Sequence, residues 1–233
     1  MFRWLTGRVT HGLQRGHTAG DWYRCYRNTQ YFQGDLAGAV TTALREALPT
    51  REELPDVAVE PWLTTLLTTD PRETVRCLAA IKVGLDKFAD AEQALLAALH
   101  DESETVRRCA ALSLVALDTV SGLSAVVAGS RHGHAVRTHA AHRLRGHGEA
   151  ASVAIPGLLC LLRDQDINWR SHMAAALALA AIGESAVPAL VQVFEHGEPR
   201  LREYAAIALK ELNRPPELLA AIDKELAAHR YAG

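Results

Sequence analysis

Paired alanines recur along this chain at a nearly constant interval, at Ala79/Ala80, Ala110/Ala111, Ala140/Ala141, Ala175/Ala176 and Ala205/Ala206. Successive pairs lie 31, 30, 35 and 30 residues apart. A fixed period of this length marks an architecture in which each unit buries its apolar face only against its neighbours. Three residues before each pair stands Arg76, Arg107, Arg137, His172 or Arg202, and one residue before that Val75, Val106, Val136, Ser171 or Leu201. Seven residues after this arginine slot come Val83, Leu114, Leu144, Leu179 and Leu209. The spacing is that of one helical face, so each unit holds an amphipathic helix.

A second apolar-periodic segment precedes each of these helices: Trp62 to Leu67, Ala94 to Leu99, Leu123 to Val127, Ile155 to Leu162, and Val187 to Phe194. The predicted unit is therefore a helix pair. Between the paired helices, Asp70, Asp101 and Asp164 are placed to cap the helix that follows, and Pro71 suits a first helical turn. Gly84, Gly146 and Gly183 stand where second helices are expected to close. Only 6% of the chain is aromatic against 48% hydrophobic, the balance left by Ala and Leu, and this favours helices over sheets. The expected fold is all-α, a right-handed α-solenoid (α/α superhelix) of about five helix pairs with atypical caps at both ends.

The stretches Ala154-Ile-Pro-Gly-Leu-Leu-Cys-Leu-Leu-Arg-Asp164 and Ala186-Val-Pro-Ala-Leu-Val-Gln-Val-Phe194 resemble the first helix of HEAT-like repeats of the phycobilisome lyase type, and Val106-Arg107-Arg-Cys-Ala110-Ala111 resembles the second. The resemblance runs over roughly residues 56 to 212. It implies an armadillo-like helical array; for function it implies only a class that mixes lyases, adaptors, chaperones and binding proteins, since sites are grafted on folds.

An arginine follows an aspartate by six residues in Asp70/Arg76, Asp101/Arg107 and Asp164/Arg170. Repeated in this way, Asp and Arg are expected to bridge adjacent turns, so Asp70, Arg76, Asp101, Arg107, Arg137, Asp164 and Arg202 read as a structural ladder rather than as a row of anion sites. Departures from the repeat are more informative. Five residues after the arginine slot come Ile81, Leu112, His142, Leu177 and Ile207, so His142 replaces an apolar side chain, with His139 one turn earlier. His132, His134 and His147 crowd the same repeat. Two histidines at i and i+3 share a helical face. No carboxylate follows them until Glu149, and a polar interface is favoured over a metal or proton-transfer site.

The fourth repeat departs differently. Its turn, Asp164-Gln-Asp-Ile-Asn-Trp-Arg-Ser-His172, is about two residues longer than its equivalents, so Asp164/Arg170 and Asp166/His172 both satisfy the six-residue relation. Trp169 either anchors a partner at this edge or fills the valine slot of an overwound turn. Candidate partner-binding residues here are Asp166, Trp169, Arg170 and His172, alongside His139 and His142.

Residues 1–55 form an aromatic and arginine-rich segment with a capping helix from about Asp35 to Leu48. Phe2, Trp4, Trp22, Tyr23, Tyr26, Tyr31 and Phe32 lie within its first 34 residues, with five arginines against the single acid Asp21. Such a segment can stack bases, bind a partner through Trp22 and Tyr26, or close the exposed end of the array; capping is the favoured reading. Residues 56–212 hold the repeats, and residues 213–233 a C-terminal capping helix begun by Pro215-Pro216, the whole making one structural domain.

The formal charge of −2 argues against a dedicated phosphate-binding protein, so nucleic acid is not the favoured partner. The chain has no phosphate-binding glycine loop, nucleophile elbow or zinc spacing. Cys25, Cys77, Cys109 and Cys160 are widely spaced and read as small hydrophobes. No cofactor and no metal are expected. No apolar run is long enough to span a membrane, and a cytoplasmic location is expected. The leading expectation is a protein–protein interaction scaffold or adaptor that binds its partner on a concave surface. The alternative is an enzyme on the same fold, similar either to the HEAT-like DNA alkylpurine glycosylases, with Asp166 and Trp169 in the active positions, or to chromophore lyases.

Overall fold

A computed structural model describes residues 18–28, 36–47, 59–129, 131, 133–164, 168–212 and 220. Among these residues all regular structure is helical. The helices divide into two compact units, Met1–Leu117 and Asp118–Gly233, so a boundary falls inside the repeat array, after the second helix pair.

In the first unit, α1 spans Ala19–Arg27, α2 Leu36–Ala47, α3 Val59–Thr69, α4 Glu73–Asp86, α5 Glu92–Ala98 and α6 Glu104–Leu117. The pairs α3/α4 and α5/α6 pack together, and the pairs stack through α3 on α5 and α4 on α6. First helices thus lie against first helices and second against second. The paired alanines explain the closeness of the second layer: Ala79, Ala80, Ala110 and Ala111 are fully buried, and their lack of bulk lets α4 and α6 approach. The Ser113 hydroxyl donates to the Ala80 carbonyl across this seam at 2.7 Å.

The N-terminal helices do not stack as a further pair. Helix α2 packs beside α4, and the Arg72 guanidinium donates to the Ala47 carbonyl at its C-terminus. Helix α1 lies across α4 and α6 on their own layer instead of extending the array. Its start is fixed by a capping box: Thr18 Oγ1 accepts from the Asp21 amide at 3.3 Å, and Asp21 accepts from the Thr18 amide at 3.0 Å. Its Trp22 and Tyr26, one turn apart, point into the unit and are buried.

Gly84 is where this arrangement overturns a sequence expectation. It does not close α4, which runs on to Asp86 and ends at Lys87 in the left-handed region, φ 56°. A Cβ at Gly84 would overlap Tyr26 Oη and lie 2.6 Å from Ser113 Oγ, so the glycine makes the pit into which α1 seats its tyrosine. Gly146 also fails to close a helix: it lies within the 3-10 segment Arg145–Ala154, where Gly148 carries the positive φ of 54°. Gly183, φ 87°, does cap its helix.

In the second unit, α7 spans Val120–Ala128, α8 His134–Leu144, α9 Ile155–Arg163, α10 Trp169–Ile182, α11 Val187–His196 and α12 Pro199–Glu211. The layering recurs: α7/α8, α9/α10 and α11/α12 pack as pairs, α7 lies on α9, and α10 lies between α8 and α12. The predicted helix from Pro215 falls outside the described residues, apart from Ala220.

Candidate functional site

The arginine slot does one thing in every repeat. Arg76 donates to the Asp70 carbonyl at 2.9 Å, Arg107 to the Asp101 carbonyl at 2.6 Å, Arg137 to the Val127 carbonyl at 3.1 Å, and Arg202 to the Gly197 carbonyl at 2.7 Å. Each cation thereby satisfies a carbonyl left over at the end of the preceding first helix, where the helix dipole also favours positive charge. His172 fills the same role, its Nδ1–H donating to the Leu162 carbonyl at 2.9 Å. The histidine that breaks the sequence pattern therefore preserves its chemistry.

Cross-repeat rungs are added to this common bond. Arg76 forks onto Asp101 of the next pair at 2.8 and 2.9 Å and reaches Glu102 at 3.1 Å. Asp101 in turn accepts from the Ser103 amide at 2.8 Å, and its hydrogen bonds, then its charge, hold the Arg76 guanidinium above its ordinary pKa against some desolvation. Arg137 meets Asp164 at 2.7 Å. Asp164 therefore serves an arginine of the preceding repeat, whereas Arg170, six residues on, lies over the Trp169 ring at 5.5 Å. Between α10 and α12 a ring stack replaces the ion pair, with His172 and Tyr204 centroids 5.2 Å apart and 25° between planes. Asp70 is occupied locally, its carboxyl held below the ordinary range by hydrogen bonds from Arg72. Arg107 Nε is buried without a hydrogen-bond partner. These arginines are engaged by carbonyls and carboxylates, which leaves Trp169, Arg170, His139 and His142 as the sequence-selected side chains that face outward.

Trp169 is 61% exposed. It does not fill the valine slot, because Ser171 does, buried and hydrogen-bonded at 2.6 Å to Thr138 on α8. Asn168 decides this register: its side chain accepts from the Arg170 and Ser171 amides, which makes Trp169 the first residue of α10 and leaves its indole outside. From Trp169 the residues at helical spacing are Met173, Leu177 and Ala180, all part-exposed. An apolar stripe thus runs along the outward face of α10.

His139 and His142 lie on the neighbouring α8, and both are exposed. The His139 ring keeps some contact with solvent, yet partial burial, then the charges of Arg143 and His142, pull its pKa below the ordinary 6.5, against the opposing pull of Asp118. Arg143 itself forks onto Asp118, and His147 Nε2 sits 3.3 Å from the same carboxylate. Burial would raise the Asp118 pKa, but the Arg143 and His147 hydrogen bonds leave it lowered. Among the described residues, no group of three or more His, Cys, Asp or Glu side chains is disposed to hold a metal ion. Asp166 lies outside the described residues.

Trp22 and Tyr26 do not belong to a surface. Trp22 is 2% exposed, and the Tyr26 hydroxyl donates to Ser113 Oγ at 3.2 Å inside the first unit, the Ser113 proton being engaged by the Ala80 carbonyl. Burial raises the Tyr26 pKa, so the phenol stays protonated. The aromatic residue of α1 that faces outward is Tyr23, with Arg27 and Arg108 guanidiniums 5.9 and 5.7 Å from its ring. Tyr23 was not among the sequence candidates, although its place one residue after a buried Trp22 turns it away from the core.

Residues 60–154 match the family model of HEAT repeats, which supports a HEAT-like repeat protein. No curated protein matches the chain significantly. No described helix is long and apolar enough to cross a membrane.

Proposed function

We propose that this chain is a protein-interaction scaffold or adaptor, and that its partner docks on the second-helix face of the Asp118–Gly233 unit. The observation that carries the reading is the α10 stripe: an indole 61% exposed leads three part-exposed apolar side chains, and the neighbouring α8 carries two exposed histidines. Large apolar groups left in solvent beside polar neighbours mark interaction sites, and Trp is the residue type most enriched where binding energy concentrates. The match to HEAT repeats supports the same reading, because stacked helix pairs present long surfaces without requiring any particular chemistry.

The test is comparative. Affinity purification of the full chain from its native host should recover a stoichiometric protein partner that Trp169→Ala and Leu177→Glu both lose. Val153→Glu, at the other strongly exposed large apolar side chain among the described residues, 66% exposed on the 3-10 segment, should retain it. Equal recovery by all three variants would refute the assignment of the surface. Release of a modified base from alkylated DNA by the purified chain, with no partner recovered, would replace the scaffold by the enzyme reading.

A further inference from the structure

The first unit already shows what this face accepts. Counting from the arginine slot, the residues three before and one, five and eight after it fall along one side of each second helix. They are Glu73, Cys77, Ile81 and Gly84 on α4, and Glu104, Arg108, Leu112 and Val115 on α6. Helix α1 lies on this side of both helices. Its Ala19 carbonyl accepts from Cys77 Sγ at 3.7 Å, its Tyr26 fills the pit at Gly84, and its Tyr23 ring meets Arg108. Cys77, Ile81, Gly84 and Val115 on this side are all buried.

In α10 the same count gives Trp169, Met173, Leu177 and Ala180. The positions are equivalent and as apolar, yet they remain part-exposed. Among the described elements, those packed on α10 are its pair mate α9, the neighbouring α8 and α12, and the short 3-10 turns on either side. Ala180 continues the stripe with the smallest side chain that a helix normally carries, at the position where Gly84 admits Tyr26 in the first unit. A helix with one aromatic residue per turn on its inner side, as Trp22 and Tyr26 are on α1, matches this relief.

The charges around the two faces differ. On the first unit the stripes begin at Glu73 and Glu104, but Glu104 pairs with Arg108 on the same stripe and Arg24 of the seated helix pairs with its own Asp21, so α1 is held there by its apolar side. On the second unit the neighbouring stripe on α8 ends at Arg145, and Arg170 stands beside Trp169. Glu203 on α12 is the acid among these equivalent positions, with Lys210 two turns further along the same stripe. Sign complementarity sets partner preference more than it sets raw affinity. We infer that the α10 face of the second unit binds an acidic amphipathic helix of a partner protein, seated as α1 is seated on α4 and α6. This inference rests on the scaffold reading and names its partner class; the mode is that of an amphipathic helix laying its apolar face on a hydrophobic surface.

The probe is a fluorescent, lactam-stapled peptide with the sequence of residues 18–28 in which Arg24→Glu and Arg27→Glu make it acidic. The staple removes the marginal helicity of so short a segment. Anisotropy titration against the full chain should show saturable binding, at least about tenfold tighter than for the unaltered basic peptide, and weakened by added salt. Trp169→Ala should weaken it by about tenfold or more, as loss of a hot-spot indole does. Leu177→Glu should do the same, while Val153→Glu should leave it unchanged; circular dichroism establishes that each variant is folded, and the Trp169 variant carries the test if Leu177→Glu is not. Absence of binding by the acidic peptide, or equal binding by both peptides, overturns the inference. So does tighter binding of a labelled single-stranded DNA at the same residues, or a dimer in sedimentation that Leu177→Glu dissociates, since the face would then serve nucleic acid or a second copy. A partner crosslinked from position 169 whose affinity ignores Leu177 would leave the scaffold reading standing and remove this one.

Discussion

Gly84→Ala is the substitution that most directly interrogates how α1 is held. Alanine would ordinarily stabilise a helix interior by about 1 kcal/mol relative to glycine. Here its Cβ must enter a space already taken by Tyr26 Oη, with Ser113 Oγ at 2.6 Å and Ser113 Cβ at 2.7 Å. Overpacking of this kind costs about 1–3 kcal/mol. Pushing the Tyr26 hydroxyl off Ser113 leaves a buried O–H unpaired, roughly another 1–3 kcal/mol. After the propensity gain is subtracted, a net loss of about 1–5 kcal/mol is expected for the first unit. Urea unfolding followed by circular dichroism measures the total, and hydrogen exchange on residues 19–27 shows whether α1 has come away. Adding Tyr26→Phe should recover part of the loss, because it removes the nearest atom, but not all of it, because Ser113 still crowds the new methyl group. An unchanged or raised stability for Gly84→Ala would mean the pit is not filled as described, and the account of α1 would fail.

Asp101→Asn should cost about 3–5 kcal/mol, because Arg76, 7% exposed in its side chain, would be left as a poorly compensated buried cation. Asp118→Asn, at a pair whose side chains are 32% and 46% exposed, should cost about 1 kcal/mol or less in the same denaturation assay. Asp21 is lowered from the ordinary 3.8 to about 2 by its Thr18 hydrogen bonds and then by Arg24, against some desolvation. Its contribution is therefore fully present above about pH 3.8 and lost as pH falls through 2, so the stability gap between the parent and Asp21→Asn should close over that window. His139 is linked in the same direction: its folded pKa lies below 6.5, so the neutral ring is favoured by folding, and stability should decline as pH drops below about 6.5. A melting-temperature series from pH 7.5 to 5 should show a shallower slope for His139→Gln. Trp169→Ala should change stability by about 0.5 kcal/mol or less, since the indole lies outside the core.

The parts of this fold that were legible in the sequence are those the repeat states several times over. Alanine pairs, the preceding valine and the later leucine recur together, so chance agreement at one position cannot mislead. The outward direction of His139 and His142 could be anticipated only in part, from a polar residue in an otherwise apolar position. What the sequence could not supply was partnership across distance. Arg76 follows Asp70 by six residues but forks onto Asp101 of the next pair, and only the Asp70 carbonyl serves the nearer bond. Gly84 resembled a helix terminator because its real reason, the Tyr26 phenol, belongs to a segment with no repeat register. The exposure of Trp169 turned on a single cap, Asn168, in a turn whose extra length left two registers open. His172 looked like a break in the pattern because residue identity changed while the hydrogen bond to a carbonyl did not.

Helix α1 also makes the first unit a record of its own opening. Cys77 and Cys109 have no exposed surface, and Cys77 lies directly beneath the Ala19 carbonyl, whereas Cys160 stands in solvent on α9. Burial also raises the thiol pKa of Cys109, which withholds the reactive thiolate. A thiol reagent should therefore modify the exposed Cys160 directly and reach Cys77 only in the interval when α1 has lifted. The ratio of the two labelling rates is a clock for a local unfolding event, readable by mass spectrometry without any engineered probe. Any partner, ligand or substitution that loosens the seated helix will register on that clock before it registers on the melting temperature.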